Sequence, residues 1–129
     1  NVVVDGATVT VPILNKSGSS PTLEIDTTQL PEATNYGFTW SDFSSRTISS
    51  VGVDGTNVVL TLSATPTGTM TIGYAYTGIG NTNYTDPYVG GTVNTPGAWG
   101  NIRDGRDTAS RIQEGASLRN FLSTFNVTL

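Results

Sequence analysis

The sequence predicts an all-β protein: an antiparallel β-sandwich of about seven strands, with a jelly-roll or immunoglobulin-like arrangement. Three observations predict it. Apolar and polar residues alternate over several short segments, turn residues separate those segments, and helical periodicity is nearly absent. The 129 residues contain no recognisable linker, so we expect a single domain over residues 1–129. The chain begins at Asn1 rather than Met, which favours the C-terminal part of a longer protein or a processed product.

Five segments carry the strand pattern: residues 8–13, 23–26, 48–62, 70–76 and 121–129. The third contains Asp54-Gly55, a dipeptide that favours a tight hairpin turn. In the fourth, the alternation predicts one shared face for Met70, Ile72, Tyr74 and Tyr76. Phe38 and Trp40 precede the third segment and are expected in the core.

Residues 78–117 break this pattern, because they are rich in glycine and show no clear strand. A long loop inside a compact domain is usually functional or disordered, and the aromatic residues of this segment argue against disorder. At most one short helix or helical turn is expected, over residues 108–118, where Ala109, Ile112 and Ala116 lie about one turn apart and Gly115 weakens the pattern.

Composition excludes several kinds of chemistry. The chain has no cysteine and no histidine, which removes disulfides, thiolate sites and the commonest general base and metal ligand. Its net charge of −4 and lack of a basic run argue against a nucleic-acid partner. No apolar stretch approaches the ~20 residues of a membrane span. We therefore expect no enzyme activity, no cofactor, no nucleic acid and no membrane.

Some acidic and basic residues are candidates for catalytic or metal-binding groups. Lys16, the only lysine, is expected to be solvated beside Ser17, and Glu24 and Asp26 are expected on a solvated strand face. No metal site is assigned. The alternative is calcium, which takes oxygen ligands from loops. Its candidate ligands are Asn81, Asn83 and Asp86 in one loop, and Asp104 and Asp107 in another.

The aromatic residues of the glycine-rich segment are the strongest candidates for binding. Sugar rings present apolar C–H faces that pack on aromatic side chains, while their hydroxyls bond to Asn, Asp and Arg. The predicted ligand-binding residues are Tyr84, Tyr88, Trp99, Asn101, Arg103 and Asp104. The structural alternative is that Trp99 fills the interior of the loop and that Arg103 and Asp104 form a buried pair holding it to the sheets.

Short motifs along most of the chain also resemble a known family. They are DTTQLP (26–31), NYGF (35–38), IGYAYTG (72–78), GNIRD (100–104) and LRNF (118–121). Together they resemble the C-terminal β-sandwich accessory domain of bacteriophage tail proteins and SGNH-type esterases. In that family the catalytic residues lie in a separate preceding domain, so the resemblance assigns no catalytic role to any residue here.

The sequence therefore predicts a non-catalytic carbohydrate-binding accessory module of a phage tail protein or secreted polysaccharide-active enzyme. The alternative is a virion structural protein, such as a head-decoration or tail-assembly domain, working through protein–protein contacts. Either role implies an extracellular or virion location. The expected partners are a polysaccharide or other virion or enzyme domains, and self-association, for example as a trimer, is a further expectation.

Overall fold

The computed structural model describes residues 1–14, 22–28, 30, 32–76, 82–85, 92–95, 99–109 and 117–129, and at 82–85, 92–95, 106–109 and 117–120 it describes the backbone. These residues form β-strands and one short 3₁₀-like turn at Thr34–Gly37. In chain order the strands are β1 (Val3–Asp5), β2 (Thr8–Pro12), β3 (Leu23–Ile25), β4 (Phe38–Ser41), β5 (Ile48–Asp54), β6 (Asn57–Leu62), β7 (Thr71–Tyr74), β8 (Thr82–Thr85), β9 (Thr92–Thr95), β10 (Ile102–Ala109), β11 (Ser117–Phe121) and β12 (Phe125–Thr128).

Strand pairing confirms the predicted all-β class, because every pair formed by these strands is antiparallel. The strands form four sheets, with orders β1-β2-β6-β5, β11-β10-β3, β12-β7-β4 and β8-β9. Twelve strands are described, where the sequence predicts about seven. The arrangement of the strands as two facing layers stays a prediction.

The four-stranded sheet, β1-β2-β6-β5, follows the alternation of its sequence most closely. Asp54 pairs with Asn57 across the turn that Gly55 forms with a φ of +58°, which confirms the predicted hairpin. Every second residue of β2 and β6 points into the core, so that the buried side chains of this sheet are Val9, Val11, Val58, Leu60 and Leu62.

The β12-β7-β4 sheet contributes a group of three packed aromatic rings. The Phe38 and Tyr74 ring centroids lie 4.7 Å apart, and Phe125 lies 5.8 Å from Tyr74 and 6.3 Å from Phe38. Such pairs contribute about 0.5–1.5 kcal/mol each beyond the apolar area they bury. This group fixes β4, β7 and β12 against one another.

One hydrophobic core joins the three larger sheets. Leu23 and Ile102 enter it from the β11-β10-β3 sheet, and Phe38, Ile72 and Tyr74 enter it from the β12-β7-β4 sheet. Full burial of an aliphatic or aromatic side chain contributes about 1.5–3 kcal/mol, so this shared core holds the sheets together. Phe38 is buried and Trp40 packs against the core, as predicted.

The prediction of a strandless segment over 78–117 is wrong. Strands β8, β9 and β10 lie within it, and β11 begins at its end. The candidate helix over 108–118 does not reach either end of that range, because Thr108 and Ala109 belong to β10 and Ser117 and Leu118 to β11; residues 110–116 lie outside the described residues. Pairing of β10 with β3 and β11, which joins distant parts of the chain, prevails over the local glycine-rich composition.

Candidate functional site

Three backbone segments meet at one end of the β12-β7-β4 sheet: the start of β4, the end of β7 and residues 99–101. The Ala75 N–H donates to the Gly37 carbonyl at 2.9 Å, and the Asn101 N–H donates to the Tyr36 carbonyl at 3.0 Å. These bonds bring the backbones of three aromatic residues to the same end of the molecule. We call this set, Tyr36, Tyr76 and Trp99, the aromatic end.

Glycine allows the segments at the aromatic end to approach so closely. A Cβ atom at Gly37 would lie 2.6 Å from the Gly100 Cα and 2.8 Å from the Trp99 carbonyl oxygen. A Cβ atom at Gly100 would collide with the Tyr74 ring. Two positions without side chains therefore let β4, β7 and the Trp99 segment pack backbone against backbone.

Left-handed backbone conformations concentrate at this end. Asn35 and Tyr36 have φ values of 51° and Ala75 has a φ of 47°. A non-glycine residue in this region costs on the order of 1–3 kcal/mol and persists only where the surrounding structure enforces it. Such residues cluster at functional sites, so the strain is a reason to look for function here.

The alternation predicts that Tyr76 shares a face with Tyr74, but in the structure it does not. Strand β7 ends at Tyr74, and the left-handed Ala75 turns the chain. Tyr74 is fully buried, whereas Tyr76 is 60% exposed. The prediction of a shared face is therefore wrong for Tyr76, because the two-residue alternation applies only while the backbone stays extended.

Tyr74 supports the aromatic end from inside the core. Its hydroxyl accepts the Ile102 N–H at 2.9 Å and donates to the Ile102 carbonyl at 3.3 Å. Burial raises the pKa of Tyr74 to about 12, because the phenolate would lose its hydration. The neutral hydroxyl thus fastens the first residue of β10 to the last residue of β7.

Arg103 lies at the centre of a buried ion network. Its Nε donates to Asp26 Oδ2 at 2.7 Å, its Nη2 pairs with Glu24 Oε1, and its Nη1 donates to the Asp104 carbonyl at 2.9 Å. Asp26 Oδ1 also accepts the Thr28 N–H at 2.7 Å. The network joins β10 to β3 and fixes their register.

This network corrects two expectations. Asp26 is 4% exposed, so the predicted solvated strand face is wrong for this residue, because the guanidinium replaces its water. The second expectation is a buried pair of Arg103 with Asp104: within the described part of the chain Arg103 forms ion pairs with Glu24 and Asp26, and it donates to the backbone carbonyl of Asp104.

Asn101 is fully buried and fastens the segment after β3 to the start of β10. Its Oδ1 accepts the Ala33 N–H at 2.8 Å, and its Nδ2 donates to the Asp26 carbonyl at 3.0 Å and to the Leu30 carbonyl at 3.4 Å. An amide whose donor and acceptor are both used inside the protein acts as a structural link.

The six predicted ligand-binding residues differ in exposure where the structure describes their side chains. Asn101, Arg103 and Asp104 are buried, whereas Trp99 is half-buried at the aromatic end. The backbone of Tyr84 lies in β8, which pairs with β9, and Tyr88 lies outside the described residues. Among these six, Trp99 is the described side chain with exposed surface.

Sequence reasoning missed Tyr36 and Tyr76. The signal for Tyr36 was its place between Asn35 and Gly37, two residue types that favour left-handed turns. No local signal marks Tyr76, because its exposure depends on the left-handed Ala75, and alanine rarely adopts that conformation.

The described residues contain no group of three acidic side chains that could hold a metal ion. Of the candidate calcium ligands, Asn81 and Asp86 lie outside the described residues, and the side chains of Asn83 and Asp107 do too. Within the same part of the chain, no helix is long and apolar enough to cross a membrane.

A second exposed aromatic residue, Phe43, lies on the loop that follows β4, beyond the end of that strand opposite the aromatic end. Phe43 is 87% exposed and packs against Gly68. A Cβ atom added at Gly68 would lie 2.8 Å from the Cβ atom of Phe43. Asp42 holds this loop by accepting the N–H groups of Arg46 at 2.7 Å and Thr67 at 3.1 Å. Desolvation raises the pKa of Asp42, but hydrogen bonds from the backbone of Arg46, Thr67 and Ser44, with the charge of Arg46, together bring the pKa below its usual value.

No family model, curated protein or solved structure matches this chain. The resemblance to accessory domains of phage tail proteins and esterases therefore stays a prediction.

Proposed function

We propose that this protein is a non-catalytic carbohydrate-binding domain and that it receives a glycan at the aromatic end. The observation that carries the proposal is the exposure of Tyr76, 60% accessible beside a strained, closely packed backbone that also carries Tyr36 and Trp99. Binding residues on a rigid sheet scaffold need little reordering when a ligand arrives.

The chemistry of the aromatic end suits a sugar better than a charged ligand. Aromatic rings offer a flat apolar surface, and the tyrosine hydroxyl adds a polar group at its rim. The charged residues of the GNIRD motif (100–104), Arg103 and Asp104, are buried, and Arg103 forms ion pairs with Asp26 and Glu24. A neutral polyhydroxylated ring can use aromatic contact without an ion pair.

A binding role also agrees with the residues available for chemistry. The whole sequence contains no histidine and no cysteine, so the usual proton carrier and the usual thiolate nucleophile are missing. Tyr74 has its hydroxyl occupied by Ile102, and burial keeps that hydroxyl neutral. We therefore propose recognition without turnover, as an accessory module of a phage tail protein or secreted polysaccharide-active enzyme.

The test is a screen of bacterial polysaccharides on a glycan array, followed by calorimetric titration of any bound glycan. Tyr76→Ala is expected to weaken binding about tenfold, which corresponds to about 1.4 kcal/mol. Trp99→Ala is expected to weaken it at least as much. Phe43→Ala is the matched control, because it removes an exposed aromatic ring at the far end of β4.

Circular dichroism should show that the Tyr76 variant keeps its fold, because its ring is mostly in solvent. Binding that survives both the Tyr76 and Trp99 substitutions would reject the aromatic end as the site. Absence of any glycan ligand across the array would reject the function.

A second candidate function is a virion structural protein, such as a head-decoration or tail-assembly domain. The observation that favours it is apolar surface on and after the last strand, where Val127 is 43% and Leu129 is 42% exposed. Stoichiometric presence on purified particles without glycan affinity would favour this role. Both roles would be carried out outside the cell or on a virion, which is the location we propose.

A further inference from the structure

Among the strands that the structure describes, β12 lies at the edge of its sheet. It pairs with β7 on one side, and no strand of the described part of the chain lies on its other side. The Leu129 N–H donates to the Met70 carbonyl at 2.8 Å. Because backbone bonds alternate along an antiparallel pair, the backbone groups of Phe125 and Val127 also face β7. Those of Asn126 and Thr128 therefore point away from it.

This edge has none of the features that usually prevent strand pairing between molecules. Residues 125–129, FNVTL, contain no charged residue, proline or glycine. By contrast, the edge strand β5 has a register shift between Ile48 and Ser50 and ends in the charged Asp54. Edges without a charge or bulge are templates for pairing with another strand.

Apolar side chains accompany the free edge of β12. Val127 and Leu129 line a groove of about 530 Å³ together with Asn1, Val2 and Pro12. Val127 pairs with the buried Ile72 and lies on the same face of the sheet, yet it is 43% exposed. The core-facing side of the sheet thus continues past β7 to an edge that nothing in the described residues covers.

We propose that β12 pairs with β12 of a second copy of this chain, antiparallel and about a two-fold axis at Val127. In this register Val127 lies opposite Val127 of the other copy, and Asn126 lies opposite Thr128. The outward backbone groups of these two polar residues would form about four hydrogen bonds between the copies. The two three-stranded sheets would then become one continuous sheet, within the usual size range.

The register matches like with like on both faces of the strand. On the core-facing side, Phe125 lies opposite Leu129 of the second copy and the two valines meet at the axis. On the other side, Asn126 meets Thr128, both polar. Apolar and polar pairs of this kind stabilise antiparallel strands, and a shift by one residue would oppose apolar to polar residues.

Charge also favours a second copy over a charged partner. Each copy carries a net charge of −4, so two copies repel on average, and contact along an uncharged strand adds no local repulsion to this. The side chains of β12 and of the groove residues are all uncharged. The proposal does not depend on carbohydrate binding, because none of these residues belongs to the aromatic end.

The test is sedimentation equilibrium of the full chain over a concentration series. Val127→Lys and Val127→Glu each place two like charges opposite one another at the axis, where the two Cα atoms would be about 4.5 Å apart. Each variant is expected to raise the dimer dissociation constant about tenfold or more. Mixing the two variants is expected to restore a dimer. Val3→Lys is the matched control, because Val3 is also an exposed valine on an edge strand but belongs to β1.

Thr128→Pro gives a second variant, since it removes an outward N–H while leaving the bonds to β7 in place. It is expected to weaken the dimer with the unfolding transition little changed. A wild-type chain that stays monomeric at hundreds of micromolar would overturn the proposal. A trimer, equal weakening by Val3→Lys, or failure of the Lys and Glu variants to pair would also overturn it.

Discussion

Asp26 and Asn101 are joined by two hydrogen bonds. The Asp26 N–H donates to the Asn101 carbonyl at 2.7 Å, and the Asn101 side-chain amide donates to the Asp26 carbonyl at 3.0 Å. The same Asn101 side chain accepts the Ala33 N–H, so one residue fastens two points of the segment after β3. The pair therefore links β3 to the segment that carries Trp99.

Removal of this link should be costly. We expect Asn101→Ala to lower the free energy of unfolding by about 1–3 kcal/mol, because the buried Ala33 N–H and Asp26 carbonyl would lose their partner. Urea denaturation measures this change. Asn126→Ala, which truncates an exposed side chain, should change it by less than about 0.5 kcal/mol. An Asn101 variant as stable as the wild type would contradict the structural role.

Arg103 and Glu24 should contribute unequally to the free energy of unfolding. We expect Arg103→Met to cost about 3–5 kcal/mol, because it leaves the Asp26 carboxylate buried without its guanidinium. Glu24→Gln should cost less than about 1 kcal/mol, because the Glu24 side chain is 42% exposed and its ion pair is screened by water. Denaturant unfolding of both variants compares them directly, and similar losses would show that burial does not set the ranking.

Two glycine substitutions form a matched pair. Gly100→Ala puts a methyl group into the Tyr74 ring, and we expect a loss of about 1–3 kcal/mol in the free energy of unfolding. Gly52→Ala meets no atom within 4 Å, so it should be neutral or slightly stabilising. Thermal unfolding of the two variants tests the close approach. Equal transition temperatures would show that the Trp99 segment does not pack against Tyr74 in this way.

The free energy of unfolding should fall at high pH because the Tyr74 hydroxyl loses its proton. Burial raises the pKa of Tyr74 from 10.0 to about 12, so the native state holds the phenol proton more tightly than the unfolded chain does. The contribution is fully present below pH 10 and is lost as the pH rises towards 12, with a total of about 2–3 kcal/mol.

The control for that pH dependence is Tyr74→Phe. This variant lacks the hydroxyl that titrates. It should be less stable than the wild type at neutral pH, because the Ile102 N–H loses its acceptor. The difference in unfolding free energy between wild type and variant should shrink between pH 10 and 12. A constant difference over that interval would mean that the hydroxyl is accessible to water in the native state.

Local patterns predicted the fold where neighbouring residues determine it. The Asp54-Gly55 turn and the alternation of Val58, Leu60 and Leu62 are such patterns, and the structure contains both the hairpin and the buried face. Strands β8 and β9 escaped prediction because each contains one aromatic or apolar residue, Tyr84 or Val93, among threonine and asparagine, which leaves no apolar alternation.

The site was less predictable because its contacts join distant parts of the chain. Asn101 and Arg103 resembled ligand-binding residues because they are polar and lie near Trp99 in sequence. Their partners Ala33 and Asp26 are 68 and 77 residues away, a relation that no local pattern reveals. The alternation predicts a face shared by Tyr76 and Tyr74 because nothing in the sequence signals that Ala75 is left-handed.

The bond from Asn101 to Asp26 spans 75 positions of the chain, and this has a consequence for biosynthesis. At about 5–20 residues per second, the ribosome needs roughly 4–15 s to make the second partner after the first, so the early strands emerge long before the residue that fastens them. Contacts this distant also slow the search for the native state, into the millisecond-to-second range typical of β proteins. The segment after β3 therefore waits for seconds until the residue that fastens it is made, a period in which binding by a chaperone would protect the nascent chain from aggregation.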